Sequence, residues 1–526
     1  MWRMQRRVLG KAWDATQQQR RSWATSSQSR QSQNESLQSG PSSEHAQLGS
    51  DPRQSRIESH QDKPIVTNPK KDKERVVILG SGWAGYALAR TLSPAKTSRV
   101  LISPRSHFVF TPLLASTAVG TLEFRAALEP VRRLGLTHYH QGWAAGVDFA
   151  RKVVRVEANT HGDANARTGA PAEHGAEFDV EYDRLVLAMG CYSQTFGIEG
   201  VKEHACFLRD VGDARAIRLR VLDVFEKAQL PTTSPADRRR LLHFAIVGGG
   251  PTGIEFAAEL HDLVHHDLSR LYPDLVKDVA ITIYDIAPKV LPMFDQNLAT
   301  YATDMFRRQG IRVKTEHHLE RIRRQDDTLW LRIREEPAET PAGLVVWSTG
   351  LMQNPLTEKL TSNTFSLGSA SPPQQIARHP RTHGILVDSH MRVLVAPVSS
   401  SSSSSSPSTP QPLPGVYAIG DCCSIQDQSL PATAQVASQQ AVYLARQLNA
   451  GHAAPKPFKF KNLGTMAYLG SSRAIHQSKA DELKGRAAWI LWRTAYVTRS
   501  MSLRNKVMIP IYWFITWVFG RDISRF

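Results

Sequence analysis

Cysteine is scarce in this chain, and its scarcity limits the metal and redox chemistry available to the side chains. Four cysteines occur among 526 residues, at positions 191, 206, 422 and 423, and no C-x-x-C pair is present. Zinc and iron–sulfur sites need closely spaced thiolate ligands. We therefore predict no metal site, and we expect these cysteines to pack as small apolar residues.

Long hydrophobic runs are also missing. A membrane-spanning helix needs about eighteen or more consecutive apolar residues, and the chain contains no such stretch. The sequence therefore predicts no membrane-spanning helix. With 526 residues, of which 41% are hydrophobic, the chain is long enough for several globular domains.

Acidic residues are nearly absent from the N-terminus. The first thirty residues contain seven Lys or Arg against one acid, Asp14, and Ser and Gln fill much of the rest. Such a composition is typical of a mitochondrial transit peptide, although a generic basic disordered arm is an alternative. We predict a transit peptide over 1–30 and a disordered linker over 31–71. No hydrophobic anchor follows, which favours the matrix side of the inner membrane.

Positive charge dominates the chain, with a formal net charge of +17, so we expect an anionic partner. From Lys456 to Phe526 there are 13 Lys or Arg against three acids. In this region Ala487–Val497 is Trp-rich, and Val507–Phe519 is apolar but too short to span a bilayer. This pattern favours an interfacial helix on a membrane over nucleic acid, and a dimer interface or a core helix is the alternative. We predict that 456–526 binds a membrane and supports a homodimer.

The most informative feature is a glycine pattern that occurs twice. The first copy follows the apolar run Arg75–Leu79 and reads Gly80-Ser81-Gly82-Trp83-Ala84-Gly85. The first glycine permits a tight turn, the second lets the backbone approach a pyrophosphate, and the third lets the following helix pack closely. The phosphates then lie at the helix N-terminus. The next strand, Val100–Ile102, ends at Ser103 instead of an acid, so we expect a weaker ribose contact or one from this hydroxyl.

A later segment indicates that the first dinucleotide is a flavin. The short apolar strand Val416–Ile419 is followed by Gly420 and Asp421. In flavoproteins with two dinucleotide-binding domains, an aspartate at this point binds the ribityl chain, and the next helix points toward the flavin ring. A surface turn is the alternative. Two dinucleotide sites in one chain imply that electrons pass between their ligands.

The second glycine pattern, Gly248-Gly249-Gly250-Pro251-Thr252-Gly253, predicts a nicotinamide site. The next strand ends at Asp285, whose carboxylate accepts from a ribose 2′-hydroxyl and repels a 2′-phosphate, so NADH is preferred over NADPH. We expect the helix after the turn to run on through Leu271. A carboxylate is unfavourable beside phosphates, so Glu255 is predicted to face the nicotinamide–flavin junction, with a solvated helix position as the alternative. The strand-like run Val345–Gly350 closes this domain.

These patterns predict an α/β fold with two Rossmann-like dinucleotide-binding domains, of the glutathione-reductase-like flavoprotein type, plus a C-terminal amphipathic membrane-anchoring region. The FAD-binding domain is discontinuous, at 72–205 and 371–455, and its second part contains a Ser-rich loop at 399–406. The NADH-binding domain takes 206–370. The membrane-binding and dimerisation region takes 456–526.

Several electron acceptors are compatible with two such domains. A redox disulfide needs a cysteine pair near the flavin, in the first half of the FAD domain, and none is there. One-electron transfer to an iron–sulfur partner needs no motif in this chain and stays open. A lipid quinone needs a membrane-docked surface beside the flavin, which the C-terminal region supplies. A soluble flavin reductase, a sulfide:quinone oxidoreductase and a signalling role like that of apoptosis factors are further alternatives.

Residues 72–526 resemble the mitochondrial type II NADH:ubiquinone oxidoreductases, the alternative, rotenone-insensitive enzymes, and those of fungi most of all. The residues that carry the resemblance are Ser103–Leu114, Gly248–Leu260, Pro288–Phe294, Pro431–Gln440 and Phe519–Phe526. The resemblance implies a non-proton-pumping, peripheral flavoenzyme of the respiratory chain at the mitochondrial inner membrane. It implies non-covalent FAD, NADH as substrate and ubiquinone as acceptor. No EF-hand pattern is present, so calcium control is not expected.

The resemblance also implies where further site residues lie. Thr111–Leu114 are expected near the isoalloxazine ring, and Gln435 and Gln439 at the mouth of the quinone site, where their amides can bond a quinone carbonyl. The predicted catalytic residues are Glu255, Gln435 and Gln439. The predicted FAD contacts are Gly80, Gly82, Trp83, Ala84, Gly85, Ser103, Pro104, Thr111, Pro112, Leu113, Asp421, Ala434 and Gln435. The predicted NADH contacts are Gly248, Gly250, Pro251, Thr252, Gly253, Glu255, Asp285, Thr349 and Gly350.

Overall fold

A computed structural model of the protein describes residues 64–67, 72–159, 175–368, 371–398, 409–451, 456–478 and 481–525. The predicted transit peptide at 1–30 and the Ser-rich loop at 399–406 lie outside the described residues, as does the predicted linker at 31–71 apart from 64–67. In that short piece the prediction of disorder is wrong. Ile65 and Val66 form a strand that pairs in parallel with Asp179 and Val180, and the carbonyl of Val66 also accepts a hydrogen bond from the Arg75 guanidinium at 2.7 Å.

The strands of the described residues fall into one large sheet and several smaller ones. In chain order they are β1 (Ile65–Val66), β2 (Glu74–Leu79), β3 (Thr97–Ser103), β4 (His107–Val109), β5 (Leu128–Pro130), β6 (His138–Asp148), β7 (Val153–Ala158), β8 (Glu177–Glu181), β9 (Arg184–Leu187), β10 (Cys191–Ser193), β11 (Cys206–Phe207), β12 (His243–Val247), β13 (Ala280–Tyr284), β14 (Arg312–Lys314), β15 (Leu319–Gln325), β16 (Thr328–Ile333), β17 (Thr340–Ala342), β18 (Leu344–Trp347), β19 (Leu351–Gln353), β20 (Thr364–Phe365), β21 (Gln374–Ile376), β22 (Ile385–Val387), β23 (Arg392–Pro397), β24 (Gln411–Ala418), β25 (Cys423–Ile425), β26 (Thr465–Gly470), β27 (Arg473–Gln477) and β28 (Glu482–Gly485).

The helices pack on these sheets and follow several of the strands directly. In chain order they are α1 (Trp83–Thr91), α2 (Leu114–Ala118), α3 (Val201–His204), α4 (Val211–Gln229), α5 (Pro235–Leu241), α6 (Pro251–Leu263), α7 (Ser269–Leu271), α8 (Gln296–Arg308), α9 (Pro355–Ser362), α10 (Ala434–Ala450), α11 (Arg486–Arg499) and α12 (Leu503–Phe519). A π-helical turn at Val264–Leu268 joins α6 to α7. The helix after the second glycine pattern therefore continues through Leu271, as the sequence predicted.

The large sheet has 13 strands, and its central part is parallel. Its main path runs β1-β8-β7-β6-β3-β2-β9-β24-β23-β21-β20. β2 pairs in parallel with β3 and β9, and β9 pairs in parallel with β24. The apolar run of β2 is buried, as expected for a central parallel strand covered on both faces. Because the strands are parallel, the first glycine turn after β2 and Gly420-Asp421 after β24 lie at the same edge.

A second sheet is entirely parallel and has the order β11-β18-β12-β13-β14. All five residues of its middle strand, β12, are buried. The second glycine turn follows β12, Asp285 follows β13, and Ser348–Gly350 follows β18. In open α/β sheets this carboxyl edge is where ligands bind.

Sheet membership corrects the predicted end of the NADH-binding domain at residue 370. β19 pairs with β10 in a separate two-stranded ladder, and β20 pairs with β21 of the large sheet. The chain has therefore returned to the large sheet before residue 370. β20 has only two residues, too few for the periodicity that reveals a strand in a sequence.

The C-terminal region contains a small antiparallel sheet, β26-β27-β28, followed by α11 and α12. The two helices cover the predicted segments Ala487–Val497 and Val507–Phe519 and extend beyond them. α12 begins at a Ser502 cap, which accepts from the Asn505 backbone N–H, and contains Pro510. Among the described residues, no helix is long and apolar enough to cross a membrane.

Candidate active site

The first glycine turn has no room for side chains at two of its three fingerprint glycines. Gly80 has a φ of +106°, and a Cβ there would collide with the carbonyl oxygen of Ala188. A Cβ on Gly85 would overlap the carbonyl oxygen of Gly80. At Gly82, by contrast, the Cβ position has no neighbour within 4 Å among the described residues, apart from Gly82 itself and the residues next to it in the chain. Gly82 caps α1 without a side-chain hydrogen bond, so the first N–H groups of α1 are available to an anion.

Asp421 lies beside this turn, as the sequence predicted. A Cβ on Gly420 would be 3.1 Å from the Cβ of Ala84, so β24 brings its Gly-Asp pair close to α1. The Asp421 carboxylate accepts a hydrogen bond from the Cys191 thiol at 3.4 Å. Burial raises the pKa of Asp421. The backbone N–H of Gly420 donates to Gln440 of α10 at 2.7 Å, which fixes the turn against that helix.

Trp83 and the segment from Thr111 to Leu113 form another side of the same site. The indole N–H of Trp83 donates to the Thr111 hydroxyl at 3.0 Å. The Trp83 ring packs against Phe108 and Phe110, with centroid distances of 5.1 Å in both cases. Residues 111–113 form a 3₁₀ turn with Pro112 near its start and Leu113 fully buried. The segment expected near the flavin ring therefore contacts the first residue of α1.

Ser103 and Pro104 are hydrogen-bonded to the first glycine turn and to residues that follow later in the chain. Ser103 is buried, and its hydroxyl lies 2.8 Å from the hydroxyl of Ser81. The Pro104 carbonyl accepts from the side-chain amides of Gln141 and Asn159 at 3.2 Å and 2.9 Å. Because buried hydroxyls are normally hydrogen-bonded, Ser103 is satisfied by Ser81 within the protein, and its contact with a ribose stays a prediction.

The second glycine turn repeats the geometry of the first. Gly248 has a φ of +114°, and a Cβ on Gly253 would overlap its carbonyl oxygen. The space around the Cβ position of Gly250 is open within 4 Å among the described residues. Pro251 is the first residue of α6, and the exposed Thr252 follows it. This turn therefore also presents backbone N–H groups to an anion.

The loop after β18 lies directly against the second turn. The Ser348 hydroxyl donates to the carbonyl of Val247 at 3.0 Å. The side chain of Thr349 is 3.0 Å from the Cβ position of Gly248. Gly350 has a φ of +76°, and a Cβ there would come within 2.7 Å of the Gln194 carbonyl oxygen. The predicted contact Thr349 thus lies next to a fingerprint glycine, and Gly350 follows it against residues 194 and 196.

Asp285 is bonded to the same turn. Its carboxylate accepts from the backbone N–H of Gly249 and, at 2.7 Å, from that of Ala287. The side chain is half-buried at the carboxyl end of β13. The carboxylate is therefore held at the sheet edge where the ribose of a dinucleotide lies in this type of fold.

Glu255 lies in α6, and its contacts are with the C-terminal region. It is 6% exposed. Its Oε1 accepts from the backbone N–H of Tyr468 and the indole N–H of Trp492, both at 3.1 Å. Burial raises the pKa of Glu255 to about 8, although these two donors oppose the rise. Its predicted place at the nicotinamide–flavin junction stays a prediction.

Two more buried carboxylates follow on α6. Glu259 accepts from the hydroxyls of Ser116 and Thr121 at 2.6 Å and 2.7 Å. Asp262 accepts from the Tyr468 hydroxyl at 2.6 Å. Since hydrogen bonds to buried charged groups are strong and costly to lose, these carboxylates fasten α6 to α2 on one side and to β26 on the other.

Gln435 and Gln439 lie in the first two turns of α10, whose first residue is Ala434. Their side-chain amides hydrogen-bond to the backbone of the segment that precedes β26. Gln435 donates to the Gly464 carbonyl at 2.7 Å and accepts from the Leu463 N–H at 3.1 Å. Gln439 donates to the Lys461 carbonyl at 2.9 Å and accepts from its N–H at 3.0 Å. The structure thus uses one donor and the acceptor of each amide for the backbone, and quinone binding by these residues stays a prediction.

Comparisons with known proteins decide the family. The family model described as pyridine nucleotide-disulphide oxidoreductase matches residues 74–441, and the one for the NDH2 C-terminal domain matches residues 462–522. A probable NADH dehydrogenase of Dictyostelium discoideum is 39% identical over 88% of this chain and 95% of its own. The chain belongs to the NDH2 family.

Other NDH2 relatives agree with this assignment. A mitochondrial internal alternative NAD(P)H-ubiquinone oxidoreductase of Solanum tuberosum is 36% identical over 86% of this chain and 88% of its own. The NDH2 structure of Plasmodium falciparum in complex with NADH matches with a TM-score of 0.73 at 25% identity. The match covers 86% of this chain and 100% of the Plasmodium chain. The family and the α/β flavoprotein fold predicted from the sequence are confirmed.

Some residues of this NDH2 site were not predicted. Cys191 and Gln440 support the Gly420-Asp421 turn, and Glu259 and Asp262 join α6 to its neighbours. The two acids carried a signal, because an apolar helix with carboxylates at every turn must bury or pair them. Cys191 and Gln440 carried none, since their partners are distant in the sequence.

Proposed function

We propose that this NDH2 chain is a non-proton-pumping oxidoreductase that transfers electrons from NADH to ubiquinone through a non-covalently bound FAD. The observation that carries the proposal is the pair of glycine turns, each at the carboxyl ends of parallel strands in its own sheet. Two such turns accommodate two dinucleotides in one chain. The family supports the same reaction, because mitochondrial relatives are named NAD(P)H-ubiquinone oxidoreductases.

The first turn has the features that FAD needs. The N-terminus of α1 and the open space at Gly82 suit a pyrophosphate. Asp421 offers a half-buried carboxylate to the ribityl hydroxyls. The Cys191 thiol donates to one carboxylate oxygen, and the other accepts no hydrogen bond from the described residues. Trp83 and Thr111 suit the place of the ring, because they form a rigid, partly apolar wall. When bound, FAD supplies the two-electron carrier between the two substrates.

The second turn is proposed to bind NADH. The N-terminus of α6 suits the pyrophosphate, and the Asp285 carboxylate suits the ribose 2′-hydroxyl. A 2′-phosphate at this position would meet a carboxylate, so NADH is favoured over NADPH. Thr349 and Gly350 are proposed to contact the same dinucleotide.

The overall reaction balances as NADH, one proton and ubiquinone giving NAD⁺ and ubiquinol. The hydride of NADH supplies both electrons and one of the two hydrogens of ubiquinol, and the second hydrogen comes as a proton from solvent. The chain contributes no nucleophile to this reaction. Its residues hold the two dinucleotides and exclude water, and such positioning lowers the barrier to transfer.

The C-terminal helices are proposed to lie on the inner mitochondrial membrane. Large apolar side chains are exposed along α12: Val507, Ile511, Phe514, Ile515, Trp517, Val518 and Phe519. The exposed Arg499 and Arg504 border them. Aromatic residues on an apolar face with a basic rim suit the interface of an anionic bilayer. We place the protein on the matrix face, as a homodimer whose C-terminal regions take part in the contact.

Gln435 and Gln439 are proposed to shape the quinone site by fixing residues 461–464. Each clamps a backbone peptide and keeps one amide N–H. This segment connects α10, near Asp421, to β26, which contacts Glu255. The remaining amide hydrogens are the groups proposed to reach a quinone carbonyl.

The experiment is steady-state turnover of the purified full-length protein with a short-chain ubiquinone, in the presence of a complex I inhibitor. We expect rapid NADH oxidation coupled one-to-one to ubiquinol formation, and at least about tenfold lower kcat/KM with NADPH. Reduction of ferricyanide or an iron–sulfur protein without reduction of ubiquinone would instead favour a soluble reductase and refute the proposal.

A further inference from the structure

The end of the chain folds back onto the body of the protein through a buried arginine. Arg521 follows the last helix, and its side chain is 8% exposed. Its guanidinium pairs with Asp267 at 2.6 Å and with Glu259 at 3.6 Å, and it donates to the Thr121 hydroxyl at 2.9 Å. The Arg521 backbone N–H also donates to Asp267, at 3.0 Å. One residue is thus held by both its side chain and its backbone.

The next residue makes an ion pair of the opposite arrangement, because here the acid belongs to the chain end and the arginine to the body of the protein. Asp522 accepts from Arg218 of α4, with 2.9 Å between the carboxylate and the guanidinium. The Asp522 carbonyl accepts from the same guanidinium. The Arg218 side chain is only 6% exposed. A Cβ on Gly120 would lie 3.2 Å from the Asp522 carbonyl oxygen, so the chain end fits closely against the body.

Two irregular features of the backbone serve this contact. The π-helical turn at Val264–Leu268 contains Asp267, the main partner of Arg521. Gly520 ends α12 with a φ of +79°, and a Cβ there would be 2.7 Å from the Asp267 carboxylate. π-Turns within helices are frequent at functional positions. Both features bring the arginine and the carboxylate together.

The charges at this contact are arranged as complementary pairs. Burial by itself lowers the pKa of Arg521, but Glu259 and Asp267 outweigh it and the pKa is raised. Burying such pairs adds little net stability, whereas removing one partner leaves a charge uncompensated. The arrangement therefore specifies where the end of the chain lies.

We propose that Arg521 and Asp522 form a latch that holds α12 against the body and thereby positions the C-terminal helices for quinone reduction. This proposal rests on the proposed function. The latch joins the end of α12 to the π-turn that continues α6, the helix that begins at the second glycine turn. At its other end α12 is fixed by Asn505, which donates to Glu129 at 2.9 Å. Without the latch, α12 keeps the contacts of Asn505, those of its middle, and the hydrogen bond from the Thr516 hydroxyl to the Thr121 carbonyl at 3.1 Å.

The position of α12 matters for the site because α12 packs on α11, and α11 is hydrogen-bonded to α6. Trp492 of α11 donates to Glu255 of α6. Trp492 also packs near Trp513 of α12, with ring centroids 6.4 Å apart, and Arg493 lies between the rings of Trp489 and Trp513. A displaced α12 would withdraw Trp513 from this cluster. The contacts of Glu255 would then change without any change at the glycine turns.

The test compares Arg521→Ala and Arg521→Lys with Arg525→Ala in the full-length holoenzyme. Arg525 is the matched control, because it is 47% exposed and its carboxylate partner, Asp223, is 3.6 Å away. In Arg521→Ala we expect amide hydrogen exchange over 503–519 to accelerate at least about tenfold. We expect kcat/KM for a short-chain ubiquinone to fall about tenfold, and kcat/KM for NADH with ferricyanide to stay unchanged. Arg521→Lys should be intermediate, and Arg525→Ala should match the wild type.

Three outcomes separate the possibilities. Unchanged exchange over 503–519 in Arg521→Ala would overturn the latch. A parallel loss of the NADH–ferricyanide reaction would also overturn it, because the arginine would then support the body and not the position of α12. A wild-type protein that fails to reduce ubiquinone would refute the proposed function, while the exchange rates would still decide whether the latch exists.

Discussion

Replacing Glu255 with glutamine should stabilise the protein, and the gain should grow with pH. The ordinary pKa of this carboxyl is 4.5, and burial in the folded protein raises it to about 8. Between these values the folded protein holds a proton that the unfolded chain has released. The free energy of unfolding therefore falls as the pH rises through this interval. The stability that the protonated Glu255 carboxyl contributes is fully present only below the pKa of this group in the unfolded chain.

The size of the effect follows from the two pKa values. Each pH unit within the interval costs about 1.4 kcal/mol. The cost is roughly 3 kcal/mol at pH 7 and approaches about 5 kcal/mol near pH 8. Glutamine is neutral at all these pH values, and its carbonyl oxygen can still accept from Tyr468 and Trp492. Glu255→Gln should thus match the wild type near pH 5 and exceed its stability by a few kcal/mol near pH 8.

The assay is denaturant unfolding of both proteins from pH 5 to pH 8.5, followed by fluorescence. Asp262→Asn, on the same helix, is the control with the opposite sign. Burial raises the pKa of Asp262, but the His261 imidazole 3.6 Å away and hydrogen bonds from Tyr468 and Ser471 outweigh burial and lower it. The ionised Asp262 carboxylate stabilises the folded protein at neutral pH, and this stabilisation is lost as the pH falls through the folded pKa. The free energy of unfolding of Asp262→Asn should therefore be about 1–3 kcal/mol lower than that of the wild type at pH 7. A stability difference for Glu255→Gln that does not change with pH would refute the reasoning.

Three other variants test separate parts of the account. Gly85→Ala places a methyl group on the Gly80 carbonyl, so the purified protein should retain little FAD. One FAD per chain, measured by absorbance, would argue against FAD binding at this turn. Asp285→Asn should lower the NADH-to-NADPH ratio of kcat/KM by about tenfold or more, since the repulsive charge is lost; an unchanged ratio would contradict its role. Phe514→Ser combined with Trp517→Ser removes two exposed apolar side chains, each worth roughly 2–3 kcal/mol of membrane binding. The affinity for anionic vesicles, measured by flotation, should fall about a hundredfold or more while NADH–ferricyanide turnover persists. Undiminished flotation would show that α12 is not the membrane contact.

The dinucleotide parts of the fold could be predicted from sequence because their signals are local. The glycine turns, the buried strands before them and Asp285 after β13 each depend on neighbours within a short stretch. The link from the first turn to Asp421 was also predictable, since a Gly-Asp pair after an apolar strand is typical of a flavin-binding domain when two glycine turns precede it. Parallel pairing of β24 with β9 then brought it into place.

The parts that could not be predicted depend on contacts between distant segments. Glu255 bonds Tyr468 across 213 residues, and no local pattern indicates such a partner. The same holds for Arg521 and Asp267, which are 254 residues apart. β1 and β20 have two residues each, so they lack a periodic signal. Gln435 and Gln439 were expected to face a ligand, but their amides also satisfy exposed backbone groups of residues 461–464.

The central claim is that electrons pass from NADH to ubiquinone through a flavin held behind Gly80–Gly85. The most direct measurement is anaerobic stopped-flow absorbance of the purified protein, mixed first with NADH and then with a short-chain ubiquinone. The account predicts a yellow protein with one FAD per chain, whose absorbance is bleached by NADH and restored by the quinone. A colourless protein, or a flavin that NADH bleaches and the quinone does not restore, would contradict it.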